Sequence, residues 1–558
     1  MKKNRYVLTA TGLLFGSLVL AGCAAAPTPT TTTGSTSTTA ETAVVVDATL
    51  TAAQVLDANE NSTTVNDDEW STTDAVAIDL SNPTSADGVA VDGNTVTITA
   101  AGTYTLTGEL DGQVVVAAPD DAVVALVLDN ATISSSTTAA IAVTSADDVV
   151  ISLEGSSSVS DSSSYADDAD VNAAIFSEAD LTITGDGSLA VAGNGNDGIT
   201  SEDDLVILSG TIAVSAADDG LRGKDSLVVK GGDLRVNAGG DALASDNAVD
   251  DTRGYIWIDG GTLDLTAGDD GADAVTDLVL TDGEVSVQAQ AKGLTSGVYL
   301  IGEGATVTVT AADDALHSNG AIHLNLGDIT AAAGDDGAHA DSAIVIDGGA
   351  LTITSSYEGI ESASIAISAG EVNVTSSDDG MNASGNTTSS GQGGGMGDTG
   401  ELITIAGGSV VINADGDGFD SNGSAVITGG TLIVNGPTGD GNGALDVNGT
   451  LTVSGGTVLA VGSAGMAVSP TDGTQQWISA LASGSAGDIV RVLDASATVV
   501  YEFTATKQFA SVVFSSSAIT DAATYTVTVN GSTAATVTEG TATAGGMGGG
   551  MGGPGQRP

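Results

Sequence analysis

A single cysteine in 558 residues, Cys23, leaves no disulfide framework and no thiolate metal centre in the body of the chain. Proline is scarce at 8 residues and aromatics make up 3%, which speaks against helical bundles and against a core built on large rings. Positive charge is also scarce: 12 Lys and Arg stand against 72 Asp and Glu, a formal net charge of −60. Recognition of a phosphate backbone needs clustered Lys and Arg, so nucleic acid is not an expected partner, and anionic lipid headgroups are disfavoured for the same reason. Beyond the N-terminus no apolar run is long enough to span a bilayer. What abounds is Gly, 77 residues, together with Ala, Ser, Thr and Val, the composition of many short strands joined by tight turns.

The first residues carry their own pattern. Lys2, Lys3 and Arg5 precede the apolar run Val7 to Leu20, which leads into Leu20-Ala21-Gly22-Cys23. This resembles a bacterial lipobox, which implies a signal peptide over 1–22 and Cys23 as the lipid-bearing first residue of the mature chain. Residues 23–44, rich in Thr and Ser, have the composition of a flexible tether. Loss of 1–22 removes three basic residues, so the formal charge moves from −60 to −63.

The second half repeats a short acidic cassette, a carboxylate pair followed by Gly or Ala and then an apolar residue. The small residue falls at Gly198, Gly220, Ala242, Gly271, Gly293, Ala315, Gly337, Gly359, Gly380, Gly418 and Gly443, mostly 22 apart. A fixed period of that size means stacked repeats, which escape the size limit of a single compact core because each unit touches only its neighbours. Between cassettes lie two alternating strands and a Gly turn, as in Ala343-Ile344-Val345-Ile346-Asp347-Gly348-Gly349-Ala350-Leu351-Thr352-Ile353. Two such strands and a short third at the cassette close one turn of a single-stranded parallel β-helix, an all-β solenoid of about 22 residues per coil. The solenoid is predicted over 45–461, a small C-terminal β cap over 462–540, and a disordered Gly-rich tail over 541–558. Long steps place inserted loops at 246–254 and 384–400.

In a solenoid, residues one period apart stack. Asp218/Asp219, Asp269/Asp270, Asp313/Asp314, Asp335/Asp336 and Asp378/Asp379 then line one edge, with Asp197, Asp241, Glu358 and Asp417 filling the second pair position of other rungs. Unit charges about 4.8 Å apart repel by roughly 1 kcal/mol in water and by several at a surface dielectric near 20. Over about ten rungs this rivals the stability of a whole domain. Ca2+ is the expected cofactor, since it takes six to eight oxygen ligands in loose geometry, and these fourteen carboxylates are the candidate ligands. The competing account is that Asp merely suits tight turns and salt screens the charge. Zinc is not expected from a chain with three His, of which His323 falls on a different strand from His317 and His339. Lys292 interrupts the acidic column, either as local charge relief or as a base beside calcium, with Arg222, Lys224 and Arg253 as other candidate bases.

Several strings carry a family resemblance. They are Ala101 to Gly108 (AGTYTLTG), Ala174 to Ser177 with Asp180 to Ile183, Asn196 to Ile199, Asp219 to Ser226 (DGLRGKDS) and Phe509 to Ser516 (FASVVFSS). Together they cover about 85–535, and the chain resembles the bacterial carbohydrate-binding domain-containing proteins with a calcium-rich right-handed β-helix shaped like a pectate lyase. The resemblance implies a right-handed coil and binding of plant cell-wall polysaccharide, chiefly acidic polygalacturonate and also cellulose, without cleavage. A chain this acidic holds an acidic glycan only through bridging cations, whereas a neutral crystalline glycan calls for a row of exposed aromatics, and only Trp70, Trp257 and Trp477 are present. The expectation is therefore a monomeric, non-catalytic, calcium-dependent glycan-binding lipoprotein on the outer face of a bacterial membrane. A pectate lyase-like enzyme and a purely structural or adhesive rod are the alternatives. The glycan-contacting residues are not identifiable from the sequence.

Overall fold

A computed structural model describes residues 46–166, 169, 171–385 and 398–542. The signal peptide, Cys23 and the tether lie outside the described residues, as do most of the 384–400 insert and the tail from 543. The chain divides into two units, 1–44 and 45–558, and every described residue belongs to the second.

Each coil is three strands. In one coil these are Leu221–Gly223, Ser226–Val229 and Asp233–Ala238, and each pairs in parallel with its counterpart one coil on: Leu221 with Leu243, Leu227 with Ile256, Leu234 with Leu263. The short cassette strands form a sheet of 16, and the two flank strands of successive coils form one of 27, so the solenoid has about 16 turns. Inward Val, Ile and Leu from all three faces merge into one continuous core. The corner between the flank strands is turned by Gly in the left-handed region, for instance Gly232 (φ 96°), Gly327 (φ 87°) and Gly430 (φ 71°), a conformation that only Gly adopts without strain.

The small residue of the cassette has a packing cause. A Cβ on Gly293 would overlap Val309 Cγ1 and the Ala315 carbonyl, and the same Val or Ile methyl blocks Gly220, Gly271, Gly337 and Gly418. Where the slot is Ala315, the residue one strand pair on is Ala331, and both are fully buried. Gly293→Ala is therefore expected to destabilise by about 1–3 kcal/mol through overpacking. Chemical denaturation of Gly293→Ala with and without Val309→Ala checks this, since the pair should restore much of the loss.

Two expectations are corrected. Residues 46–75 are not coils: Thr51 caps a helix over Ala52–Ala58, and an extended stretch follows it along the outside of the first flank strands. This strap runs against the order of the coils. The Leu50 carbonyl meets His323 Nδ1 at 2.8 Å, Ala52 and Val55 pack on Val279 and Ile301, Asn59 donates to Asp277 (2.9 Å), the Thr63 amide to Asp204 (2.7 Å), and Val65 and Trp70 reach Ala125 and Val150. Nor is the alternation uniform: under the strap the outward residues Val150, Val206, Val228, Val279 and Ile301 are apolar and buried, so these strands are covered on both faces.

At the N-terminal end the hairpin Val89–Asp92 with Thr95–Ile98 is antiparallel. At the other end Phe509–Ser515 pairs antiparallel with Thr457–Gly462 and Trp477–Gly484. A four-stranded antiparallel sheet, 489–493, 499–504, 524–529 and 532–538, completes a second core around Phe509 and Phe514. These strands occupy hydrogen-bonding edges that a bare solenoid would leave open.

Candidate functional site

The short cassette strands set the site. Three residues long, each turns its first residue into the core and its second outward. Parallel pairing stacks the outward residues into a column: Thr200, Arg222, Ala244, Asp273, Thr295, His317, His339, Glu361, Asn382, Asp420 and Asp446. Sequence reasoning missed this column. Superposing the repeats would have found most of it, as the residue two places after the small slot, polar everywhere but at Ala244; in the last rung the slot is Ala444 rather than Gly443, and the outward residue is Asp446.

The acidic pair separates into two unlike columns. Asp218, Asp269 and Asp335 are exposed, with Asp313 and Asp378 half-buried, whereas in the second position Asp197, Asp314 and Asp336 are buried. Most of the second-position carboxylates accept the backbone N–H of the residue in the same position one coil on: Asp219 onto Asp197 (3.3 Å), Asp241 onto Asp219 (2.9 Å), Asp270 onto Asp241 (2.8 Å), Lys292 onto Asp270 (2.7 Å), Asp336 onto Asp314 (3.0 Å) and Asp417 onto Asp379 (2.6 Å). An ionised carboxylate accepts at both oxygens, so this ladder has a structural use for Asp beyond turn formation. It also brings charge into partly buried places. Burial, then the neighbouring carboxylates, push Asp197, Asp241 and Asp379 up to about 7 and Asp420 up to about 8. Burial also raises Glu358 to about 7 and Asp417 to about 6.

The four candidate bases are ion-paired. Lys292 Nζ lies 2.7 Å from Asp313, Arg222 bridges Glu202 (2.8 Å) and Asp246 (2.9 Å), Lys224 binds Glu202 (3.0 Å), and Arg253 binds Glu60 (2.7 Å) and Asp225. Lys292 is thus ion-paired within the ladder. His317 and His339 stack with ring centres 5.2 Å apart, each with Nδ1 on the second-position Asp of its own coil, 2.8 Å to Asp314 and 2.9 Å to Asp336. His323 is buried beneath the strap instead.

Among the described residues, three groups bring metal-ligating atoms within 4.8 Å of one another: Asp313, Asp314 and Asp335; Asp336, His339 and Glu361; and Asp180, Asp203 and Asp204. The first, all oxygen and wholly from the expected ladder, fits a calcium ion in donor type. The second joins an expected residue to two that were not expected. The third lies off the ladder, at the turn into the first flank strands. Trp257 is no free platform, being packed beneath Leu56 of the strap with its Nε1 bound to Thr281 (2.8 Å). Tyr357, 49% exposed in a first-position slot, is the ring the acidic edge does present.

The model of a family described as carbohydrate-binding domain-containing protein matches residues 92–337 and 335–545. A carbohydrate-binding domain-containing protein of Acetivibrio thermocellus is 41% identical over 234 residues, 40% of this chain and 82% of the relative. A solved structure of a polysaccharide lyase-like protein from C. thermocellum, a gadolinium derivative, is 30% identical with a TM-score of 0.39, covering 45% of this chain and 98% of that one.

Proposed function

The chain belongs to the family of carbohydrate-binding domain-containing proteins, and from that premise we propose that it binds cell-wall polysaccharide without cleaving it, gripping acidic glycan through calcium ions held along the cassette edge. The observation that carries this is the double column of carboxylates, in which the buried members gain backbone N–H donors but few cations. Asp313, Asp314 and Asp335 would hold one such ion, and the exposed first-position carboxylates would share others with the glycan. Calcium supplies open oxygen-binding positions there, on which the uronate carboxylates of a polymer such as polygalacturonate would sit. Tyr357 offers a ring face to a sugar beside them. The non-catalytic reading is supported by the pairing of Arg222, Lys224, Arg253 and Lys292, which leaves none of them poised as a base. Anchoring through Cys23 would hold this edge at the cell surface.

Retention on immobilised polygalacturonate is the test. In calcium the protein should be retained, and excess EDTA should abolish retention; unchanged retention in EDTA would remove the bridging mechanism. Ultraviolet absorbance from unsaturated ends should stay flat in the same mixture.

A further inference from the structure

We propose that Asp336, His339 and Glu361 form a binding site for one zinc-class divalent ion, spanning two adjacent coils of the cassette sheet. The site is separate from the calcium edge in donor chemistry. His339 and Glu361 are register partners on neighbouring strands, and Asp336 lies three residues before His339 in the same coil. The three donor atoms converge: His339 Nδ1 is 2.9 Å from Asp336 Oδ2 and 3.4 Å from Glu361 Oε2, all within 4.8 Å. A tetrahedral ion with bonds near 2.0–2.2 Å sets its ligands about 3.3–3.5 Å apart, so small movements seat it. An imidazole nitrogen with two carboxylates suits zinc and its neighbours and is a poor set for calcium.

The surroundings are those of a held ligand set. His339 Nε2 faces Asp341 Oδ1 at 3.4 Å, which orients the ring with Nδ1 toward the carboxylates, and Ser384 Oγ donates to Glu361 Oε1, leaving Oε2 for the ion. Stacking on His317, at an interplanar angle of 10°, fixes the ring plane. Charge points the same way. Among the described residues the carboxyl groups of Asp336, Asp341 and Glu361 gather around His339 with no Lys or Arg paired to any of them, a cluster that a divalent ion would offset. One coil earlier the set is incomplete: His317 has Asp314, but its register partner on the next coil is His339 and not a carboxylate. His339 is 25% and Glu361 24% exposed at the side chain, so the fourth position opens to water.

The full chain, stripped with chelator and returned to excess calcium, is titrated with Zn2+ by calorimetry and with Co2+ by visible absorption. One equivalent of zinc should bind despite the calcium, and His339→Ala and Glu361→Gln should each lose it. Ser384→Ala should weaken it by about 10- to 100-fold. Wild-type protein that binds no zinc, or His339→Ala and Glu361→Gln variants that bind it unchanged, would overturn the site. Retention of His339→Ala on polygalacturonate in calcium, unchanged, would show that the glycan reading stands or falls separately.

Discussion

Freed of divalent cations, the protein is expected to be less stable at pH 8 than at pH 5 by several kcal/mol, and to regain the difference when calcium is added at pH 8. Asp197, Asp241 and Asp379 start from an ordinary value of 3.8 and are held near 7 in the fold, first by burial and then by the carboxylates around them. A raised folded value means that the folded state binds the proton more tightly than the unfolded chain. That stabilisation is complete below about pH 3.8 and is lost as the pH climbs through 7. For Asp197, 2% exposed, the rise from 3.8 to about 7 corresponds to roughly 4 kcal/mol in all, of which roughly 3 kcal/mol is lost between pH 5 and pH 8, and coupling among rungs makes the total less than a sum. Asp314, which burial pushes up but the hydrogen bonds from His317 and the Asp336 N–H hold below its usual value, opposes the trend only at the acid end. Calcium would take the place of those protons. Thermal melts from pH 4 to 8, in EDTA and in calcium, check the prediction; a metal-free melting point that rises across this range would contradict the charge argument.

Phe419→Ala is expected to cost about 3–5 kcal/mol. Phe419 is fully buried, stacked between Met381 and Leu445 in a column otherwise filled by Leu, Ile, Ala and Met. Its neighbours cannot close over the cavity, because each rung is pinned at sheet spacing by ladder bonds on both sides, among them Gly418 N–H to the Gly443 carbonyl and Met381 N–H to the Gly418 carbonyl. A solenoid is also only locally cooperative. The coils from about 402 onward should therefore unfold ahead of the rest, and denaturant melts followed by limited proteolysis should resolve two transitions where the wild type shows fewer.

The coil period, the three-strand grammar and the acidic edge were legible because each repeats in register, so that every copy states the same constraint. The strap was not. Leu50, Ala52, Val55 and Leu56 give one turn or two of apolar spacing, too little to signal a helix with a distant partner. Its trace lay in the partner instead: Leu227-Val228-Val229 and Leu278-Val279-Leu280 are apolar without alternation, the mark of a strand covered on both faces, while Ile403-Thr404-Ile405 beyond the strap alternates. The outward column of the cassette strand was hidden for another reason. A three-residue strand carries a single outward side chain, and its chemistry changes from Arg222 to His339 to Asp420, so no repeated letter marks it.

The strap bears on the order in which the molecule comes into being. Residue 50 leaves the ribosome early, yet its carbonyl waits for His323, 273 positions later. Neighbouring coils can assemble as they emerge, since each needs only the one before it, whereas closing so long a loop must follow the coils it crosses. A segment made before the coils it crosses thus settles after them, and its docking ties together coils from residue 125 to residue 323.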